Sequence, residues 1–387
     1  MANNNLTSAK KAKNDEFYTQ YSDIEKEINA YLEFDPDVFK NKTVLLPCDD
    51  PEWSNFTKYF AQNFQRFGIK KLISTSYAAN SKNYVGEYQP SLFEMEDPQF
   101  DKEKTVTNGK IFTLTTDKGG DGKINVEDLE WHYLEGDGDF RSEEIKKLRD
   151  EADIIITNPP FSLFRDFLAW IVEENFNSPN PHTNNGQINL SATKNNKLFP
   201  KKQFLIIGNM NAITYKEVFP LIKQDKMWLG NGFHAGNAYF STPVVSDYAE
   251  GVYNPETGLV KFRNVVWFTN IDHGRRHQPL SLMSMEDNIK FSKHKEIKGV
   301  GYQKYDNYDA IEIPFTDSIP LDYEGVMGVP ISFLDKYSPE QFEILGCSYN
   351  YGRPDGWDEN IDMGVSINGI NVYKRILVRF RSGNIGM

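Results

Sequence analysis

The stretch Ile154–Ser162, with the sequence IIITNPPFS, decides how we interpret this chain. Its apolar first half predicts a buried strand, and the apolar residues from Leu163 onward recur at helical spacing and predict a helix. Between strand and helix, two consecutive prolines remove two backbone donors and fix two φ angles. The stretch therefore predicts a rigid corner at the carboxyl end of a strand, where open α/β sheets bind ligands.

The corner itself is formed by Asn158, Pro159, Pro160 and Phe161, which we call the NPPF corner. The side-chain oxygen of Asn158 and a carbonyl beside Pro159 can accept hydrogen bonds from an exocyclic amine. Phe161 can stack on the face of the base that carries this amine, a contact worth about 1–3 kcal/mol. A proline-rich turn in which Asn158 caps the helix is the alternative. We predict that these four residues form the catalytic site.

Four further segments connect the NPPF corner to a known family. The corner resembles motif IV of the amino-methyltransferases that use S-adenosylmethionine, and residues 15–21 (DEFYTQY) resemble motif X of the same superfamily. Residues 48–51 (CDDP) with 54–56 (SNF) resemble the motif I segment of the EcoRI-type adenine-specific DNA methyltransferases, and residues 267–270 and 333–337 also look like that family. The resemblance covers roughly residues 14 to 381.

This resemblance implies a fold and a division of the chain. The fold is α/β, a Rossmann-like methyltransferase sheet with helices on both faces, plus a smaller C-terminal recognition region. We predict a flexible basic tail over residues 1–13, a methyltransferase domain over 14–275 and a DNA target-recognition region over 276–387. Polar insertions are predicted near residues 78–109 and 177–199. The motif order X, I, III, IV resembles that of the γ class.

Local patterns predict elements of the first domain. Tyr18–Leu32 predicts a helix, and Ser54 predicts the N-cap of another helix that ends at Gly68. Lys71–Thr75 predicts the strand after this helix, and the alternation of strand and helix favours a parallel sheet. A single longer strand is predicted over Val260–Phe268.

The resemblance also implies where S-adenosylmethionine binds. The usual Gly-rich turn after the first strand is absent, and Cys48, Asp49 and Asp50 stand in its place. Either carboxylate is a candidate for the ammonium or the ribose hydroxyls of the donor, whereas the alternative is an acidic turn that caps a helix. Tyr18 and Thr19 of motif X are candidates for the methionine half, with core packing as the alternative for Tyr18.

A second part of the donor site is expected at Gly138-Asp139-Phe140, which resembles motif III. The Asp139 carboxylate would accept a hydrogen bond from the adenine amine of the donor, and Phe140 would pack on its ring. The alternative is a surface turn, because residues 135–139 (EGDGD) have turn chemistry. Asn158 borders this site as well as the target base.

Contacts to DNA are predicted from a small cationic cluster. The net charge of −12 argues against nucleic acid, but residues 371–387 hold four Lys/Arg and no acid. His273, Arg275, Arg276 and His277 follow a predicted strand, and arginine forks suit phosphates and guanine edges. A solvated surface turn is the alternative. Phe233 is a candidate for a second aromatic wall beside the target base.

The sequence also argues against a metal site, a membrane span and a signal peptide. The two cysteines form no CxxC pair, so we predict no zinc site. Residues 117–124 (DKGGDGKI) resemble part of a calcium loop, but the third position is glycine and we interpret the segment as a hairpin turn. No apolar run approaches the ~20 residues of a membrane span, and residues 1–13 lack a signal-peptide core. We expect a cytoplasmic protein and no metal.

The resemblance, together with the NPPF corner, implies a site-specific DNA methyltransferase that acts on the N6 amine of an adenine flipped out of duplex DNA. Catalysis would be mainly positioning. The expected partner is double-stranded DNA, with a cognate restriction nuclease as a further partner that activity does not require, and the expected state is a monomer. The alternatives are a methyltransferase of the same fold that acts on RNA or protein, and a catalytically silent DNA-binding protein.

Overall fold

The computed structural model describes residues 17–49, 54–78, 95, 97–124, 128–172, 202–233, 237–242, 250–349, 352–354, 357 and 364–381. The predicted tail, the insertion at 177–199 and much of the insertion at 78–109 lie outside the described residues. The chain divides into two compact units, one of Met1–Asn209 with Gly232–Ile271 and one of Met210–Asn231 with Asp272–Met387. The sequence predicts a boundary at residue 275, whereas the second unit also includes residues 210–231.

Strands and helices alternate through most of the chain. The strands are β1 (Tyr18–Thr19), β2 (Thr43–Leu46), β3 (Lys71–Thr75), β4 (Lys110–Leu114), β5 (Glu130–Tyr133), β6 (Ile154–Thr157), β7 (Gln203–Asn209), β8 (Trp228–Leu229), β9 (Asn237–Ser241), β10 (Tyr253–Asn254), β11 (Leu259–Arg263), β12 (Val265–Thr269), β13 (Ile311–Glu312), β14 (Met327–Pro330), β15 (Phe342–Cys347), β16 (Ser366–Ile367), β17 (Ile370–Asn371) and β18 (Arg375–Phe380). The helices are α1 (Tyr21–Phe34), α2 (Asn55–Gln62), α3 (Phe64–Phe67), α4 (Lys104–Thr107), α5 (Glu143–Glu151), α6 (Phe164–Val172), α7 (Phe219–Lys223) and α8 (Met285–Phe291). Short 3-10 helices cover Phe161–Leu163, Met210–Thr214, Gly274–His277, Thr316–Ser318 and Ile331–Lys336.

The main sheet of the first unit follows the order β5-β4-β3-β2-β6-β7-β12. Strands β3, β2, β6 and β7 run parallel, with Leu45 between Ile73 and Ile155 in register. Strands β4, β5 and β12 are antiparallel additions at the two sides of this parallel centre. The parallel centre matters for function because its strands end at one edge of the sheet.

Helices cover both faces of this sheet. Val44 and Leu46 belong to one core cluster with Ile24 of α1, whereas Leu45 between them points to the opposite face, and all three strand residues are fully buried. On that opposite face Phe164 of α6 packs against Phe268 of β12, with ring centroids 5.1 Å apart. The predicted α/β class with helices on both faces is confirmed.

A small antiparallel sheet, β1-β9-β11-β10, accompanies the main sheet in the first unit. Tyr18 of β1 lies opposite Ser241 of β9, and Phe240 and Phe262 send their rings into the core. The predicted helix over Tyr18–Leu32 is therefore wrong at its start, because Tyr18 and Thr19 pair as a strand and α1 begins at Tyr21. Tertiary pairing overrides the local helical spacing at these two residues.

Two other element predictions need correction. The strand predicted over Val260–Phe268 is two strands in different sheets, because Asn264 between them has a φ of 58° and turns the chain. Asparagine tolerates this left-handed conformation better than most residues. The helix after Ser54 is interrupted at Asn63, although Gly68 ends the second part with a φ of 63°, as predicted. The N-cap is confirmed, since Ser54 Oγ accepts a hydrogen bond from the Phe56 amide.

The second unit is built on the sheet β13-β14-β18-β15. Its core includes Tyr305 and Leu377, and Arg375 forms a partly buried ion pair with Glu312 at 2.5 Å. None of the described helices is long and apolar enough to cross a membrane. The described residues also contain no group of three or more His, Cys, Asp or Glu that could hold a metal ion.

Two glycines at the edge of the main sheet allow a matched test of its packing. Gly138 has a φ of 86°, and a Cβ there would lie well inside contact distance of the Ser76 carbonyl oxygen. Gly138→Ala should therefore lower the free energy of unfolding by at least about 2 kcal/mol, measured by urea denaturation. Gly136→Ala is the control, because a Cβ at Gly136 meets nothing within 4 Å. Equal stability of the two variants would contradict this account of the loop.

Candidate active site

The site forms where the parallel strands of the main sheet end. Thr157 ends β6 and Asn158 follows it, while Cys48 and Asp49 come shortly after β2 and Ser76 follows β3. Because β3, β2 and β6 are parallel neighbours, these residues meet at one edge of the sheet. The predicted rigid corner is thus in the predicted place.

The amide of Asn158 is fixed in one orientation. Its Nδ2 donates a hydrogen bond to the carbonyl oxygen of Phe17, just before β1. A carbonyl oxygen only accepts, so this contact assigns the nitrogen and turns Oδ1 the other way. Oδ1 is buried and accepts no hydrogen bond from the described residues. A buried acceptor in this state costs about 1–3 kcal/mol, and it is suited to receive an N–H from a ligand.

The two prolines hold the corner in an extended path. Pro159 is buried and Pro160 is half-buried, with φ −51° and ψ 125° at Pro160. The carbonyl of Pro160 accepts a hydrogen bond from Leu163 N at 2.8 Å, which starts the 3-10 turn that leads into α6. Neither proline has a backbone N–H, so neither competes as a donor for the Asn158 oxygen.

Phe161 lies in an aromatic cluster. Its ring centroid is 5.9 Å from that of Phe17 with an interplanar angle of 27°, and Phe240 and Phe262 meet it edge to face at 6.0 and 5.9 Å. The side chain is half-buried, so part of the ring remains exposed. These contacts fix the plane of the ring, which is what a stacking partner for a base requires.

The motif X residues approach the corner through β1. Tyr18 and Thr19 are buried and pair with β9, and the Thr19 carbonyl accepts a hydrogen bond from Asn55 Nδ2 at 2.8 Å. The Thr19 hydroxyl is buried and has no hydrogen-bond partner among the described residues. In this respect the Thr19 hydroxyl resembles Asn158 Oδ1.

The motif I residues differ in their environment. Cys48 is half-buried, and Asp50 lies outside the described residues. Asp49 is only 2% exposed. Its carboxylate accepts hydrogen bonds from Ser54 Oγ at 2.7 Å and from Thr157 Oγ1 at 2.5 Å. The carboxylate of Asp49 therefore binds protein hydroxyls from two other elements.

The motif III residues lie beside the end of β3, where Ala78 N donates to the Asp137 carbonyl at 2.8 Å. The Asp139 carboxylate forms an ion pair with Arg141 at 2.5 Å and keeps 20% of its side chain exposed. Partial burial alone would raise the pKa of Asp139, but the hydrogen bonds and charge of Arg141 hold this pKa below its usual value. The ionised Asp139 carboxylate only accepts hydrogen bonds, which suits it to a contact with an amine.

Phe140 and Phe233 belong to the core. Phe140 is 5% exposed, and its ring packs edge to face against Phe167 and Trp170. Phe233 is 7% exposed and stacks on Trp267 with an interplanar angle of 10°. These contacts leave little of either ring exposed to a ligand.

The predicted cationic cluster lies in the second unit and is largely paired within it. Arg276 is 8% exposed, lies 3.8 Å from the centre of the Trp228 ring and forms ion pairs with Asp225 and Asp272. Arg275 pairs with Asp335 at 2.7 Å. This pairing neutralises charge that the sequence alone assigns to DNA.

The two histidines of this cluster have opposite protonation behaviour. Burial lowers the pKa of His273, whose Nε2 lies 3.0 Å from the Leu229 carbonyl, so its ring is neutral at neutral pH. Partial burial opposes the charge of His277 too, but its hydrogen bonds to Glu340 and Asp272 raise its pKa above the ordinary value. His277 is the one whose charge persists to higher pH.

Several hydrogen bonds that shape the site were not predicted from the sequence, although Ser54 and Asn55 belong to the motif I segment. Ser54 and Thr157 bind the Asp49 carboxylate, Asn55 binds the motif X backbone, and Arg141 binds Asp139. Arg141 was within reach of sequence reasoning, because it lies two residues after Asp139. The bonds from Thr157 to Asp49 and from Asn55 to Thr19 span 108 and 36 residues, and no local pattern points to these pairings.

Comparison with known proteins gives a consistent result. A family model described as "Adenine-specific methyltransferase EcoRI" matches residues 5–177 and 197–381. The chain is 38% identical to "Type II methyltransferase M.EcoRI" of Escherichia coli over 97% of this chain and 95% of that protein. It is 31% identical to "Type II methyltransferase M.MgeORF184P" of Mycoplasma genitalium over 96% of this chain and 97% of that protein. It is 30% identical to "Type II methyltransferase M.MpnI" of Mycoplasma pneumoniae over 88% of this chain and 85% of that protein. No solved structure matches significantly.

The raised pKa of His277 predicts how its contribution to stability depends on pH. A pKa that is higher in the folded state stabilises the protein below the unfolded value of about 6.5, and this contribution is lost as pH rises through the folded pKa. His277→Asn should therefore lower the free energy of unfolding at pH 5.5 by about 0.5 kcal/mol more than at pH 9. Urea denaturation of both proteins at the two pH values measures this difference.

Glu340→Gln provides the control for the His277 prediction, because it removes a carboxylate 2.6 Å from His277 Nδ1. In this background the pH-dependent difference should become smaller, and the part that Asp272 supports should remain. If His277→Asn lowers the free energy of unfolding equally at pH 5.5 and pH 9 while Glu340 is intact, the pKa of His277 is not raised.

Proposed function

The chain belongs to the family of the adenine-specific methyltransferase EcoRI, and we propose that it transfers a methyl group from S-adenosylmethionine to the N6 amine of an adenine extruded from duplex DNA. The observation that carries the proposal is the fixed amide of Asn158, which turns a buried, unpaired oxygen away from Phe17 at the end of β6. That oxygen matches the N–H of an exocyclic amine.

The family decides between the alternatives raised by the sequence. Adenine-specific DNA methylation is the activity of the family, and the relatives are type II methyltransferases. Substrates of RNA or protein, and a silent DNA-binding protein, have no support from these matches. The donor, the site residues and the DNA contacts are the parts that we add as proposals.

The corner acts on the target amine by orientation. Asn158 Oδ1 accepts one N–H, and a carbonyl beside Pro159 accepts the other. Two acceptors out of the plane of the base withdraw the nitrogen lone pair from conjugation and direct it outward. Phe161 stacks on the base and limits its rotation. Most of the rate then comes from holding the amine in line for attack, which is worth several kcal/mol in other systems.

One observation supports the binding of S-adenosylmethionine beside the corner. The Thr19 hydroxyl is a buried polar atom without a partner among the described residues, and it lies in β1, whose preceding residue Phe17 holds the Asn158 amide. We propose that Tyr18 and Thr19 hold the methionine half and that Asp139 accepts the adenine amine of the donor. When bound, S-adenosylmethionine supplies a methyl group activated on a sulfonium.

DNA contact is assigned to the second unit, which includes the predicted recognition region. Of its cationic cluster, Arg275 and His277 keep 29% and 31% of their side chains exposed. We propose that these two reach phosphates and that the buried His273 and Arg276 support them. A monomer that works in the cytoplasm, with or without a partner nuclease, completes the proposal.

The role of Asn158 is tested by Asn158→Ala, which should reduce methyl transfer to duplex DNA by roughly 10²-fold or more and leave donor binding largely intact. Tritium transfer from labelled donor measures the first, and calorimetry measures the second. Asn270→Ala is the control, because Asn270 also donates through Nδ2 to a backbone carbonyl, that of Lys202, but its Oδ1 accepts from the Phe204 amide and it lies near the start of β7. Full activity of Asn158→Ala would remove the amine-holding role.

The role of Phe161 is tested with a duplex that carries 2-aminopurine at the target position. Phe161→Leu keeps an apolar side chain but removes the ring, so it should weaken capture of the extruded base by about 1–3 kcal/mol, or roughly 5- to 150-fold. Phe161→Tyr keeps the ring and should bind like the unchanged protein. An unchanged fluorescence response in Phe161→Leu would exclude stacking.

A further inference from the structure

Asp49 is a carboxylate in the interior of the first unit. It is 2% exposed, although an ionised side chain is costly to bury unless hydrogen bonds compensate it. Two hydroxyls supply this compensation, one on each oxygen: Ser54 Oγ at 2.7 Å and Thr157 Oγ1 at 2.5 Å. Hydrogen bonds to a charged acceptor are roughly twice as strong as neutral ones. The carboxylate is therefore firmly held by residues of the protein itself.

The main chain of Asp49 adds further connections. Its amide donates to the Thr75 carbonyl at 3.1 Å, and its carbonyl accepts from the hydroxyls of Ser74 and Thr57. Ser74 and Thr75 belong to the end of β3, and Thr57 lies in the first turn of α2. Asp49, which follows β2, thus links the ends of β3 and β6 with the beginning of α2.

We infer that Asp49 is a positioning residue for methyl transfer, acting through the Thr157 hydroxyl on the adjacent Asn158. This inference rests on the proposed function of Asn158. Asn158 is then fixed from two sides: the carbonyl of Phe17 holds its amide, and the Asp49–Thr157 bond holds the backbone from which the amide projects. The carboxylate serves the donor site as a support for the corner and does not bind the donor directly.

The inference gives Asp49 a role that a glycine of the usual Gly-rich turn could not fill. A glycine could form the main-chain bonds to the end of β3, but it has no side chain to bind Thr157 at the end of β6 and Ser54 at the N-cap of α2. Because a misplacement of about 1 Å in the reacting groups can cost 10²-fold in rate, such a support affects catalysis even without contact to the substrate.

Thr157→Val is the direct test, because it replaces the hydroxyl by a methyl group of similar size. We expect kcat for DNA methylation to fall about 10- to 100-fold, while KM for S-adenosylmethionine and the Kd for duplex DNA change less than about threefold. Thr157→Ser keeps the hydroxyl and should restore most of kcat. Asp49→Asn, which offers only one acceptor oxygen, should resemble Thr157→Val, and the two changes combined should cost little more than either alone.

Thr57→Val is the matched control, since Thr57 donates to the main-chain oxygen of Asp49 at 3.3 Å and not to its carboxylate. It should lower the thermal midpoint as Thr157→Val does but leave kcat within about twofold. Equal losses of kcat in the two variants would show that Asp49 only stabilises the fold and does not position Asn158. A rise of KM for the donor alone in Asp49→Asn would assign Asp49 to donor binding and overturn the inference.

The outcome is separable from that of the proposed function. If Asn158→Ala is inactive but Thr157→Val keeps normal kcat, the positioning role fails and the amine-holding role stands. If Asn158→Ala is active, the amine-holding role fails whatever Thr157→Val does. Should Thr157→Val not fold, Asp49→Asn and Thr157→Ser still decide the question through the same split between kcat and KM.

Discussion

The hydrogen bond from Asn158 Nδ2 to the Phe17 carbonyl is the constraint on which the rest of the site depends. It joins the end of a parallel strand to the start of a small antiparallel sheet, and it decides which amide atom faces the ligand. The aromatic cluster repeats the same connection with apolar contacts, because Phe17 also packs against Phe161. The hydrogen bond and the ring contact therefore both join the segment at Phe17 to the NPPF corner.

Much of the first unit could be predicted from its sequence, because the deciding signals are local. The apolar run before Asn158, the prolines after it and the Ser54 cap each act within a few residues, and the strands and helices formed where these signals placed them. The division between β11 and β12 could not be predicted, since their combined apolar run hides the left-handed turn at Asn264. Local spacing also could not show that Tyr18 pairs with Ser241.

The residues of the candidate site are easier to predict from the sequence than their hydrogen-bond partners. Asp49 stands out as an unusual acid, but its bond to Thr157 spans 108 residues, and the sequence around neither residue indicates this contact. The cationic cluster shows the same effect, because Asp225 and Asp335 neutralise Arg276 and Arg275 from 51 and 60 residues away. A run of basic residues in sequence is therefore a weak guide to the charge that a folded surface offers, particularly in a chain of net charge −12.

The pairing of β1 with β9 bears on how the chain becomes active during its synthesis. Thr19 faces Phe240, so the first strand is made more than two hundred residues before the strand that receives it. Until residue 240 has left the ribosome, the carbonyl that holds Asn158 has no sheet to fix its place. A ribosome-bound fragment that ends before β9 would contain the whole NPPF corner and still lack the order that lets it work. The site is therefore completed only when synthesis has passed β9, well after the NPPF corner itself has been made.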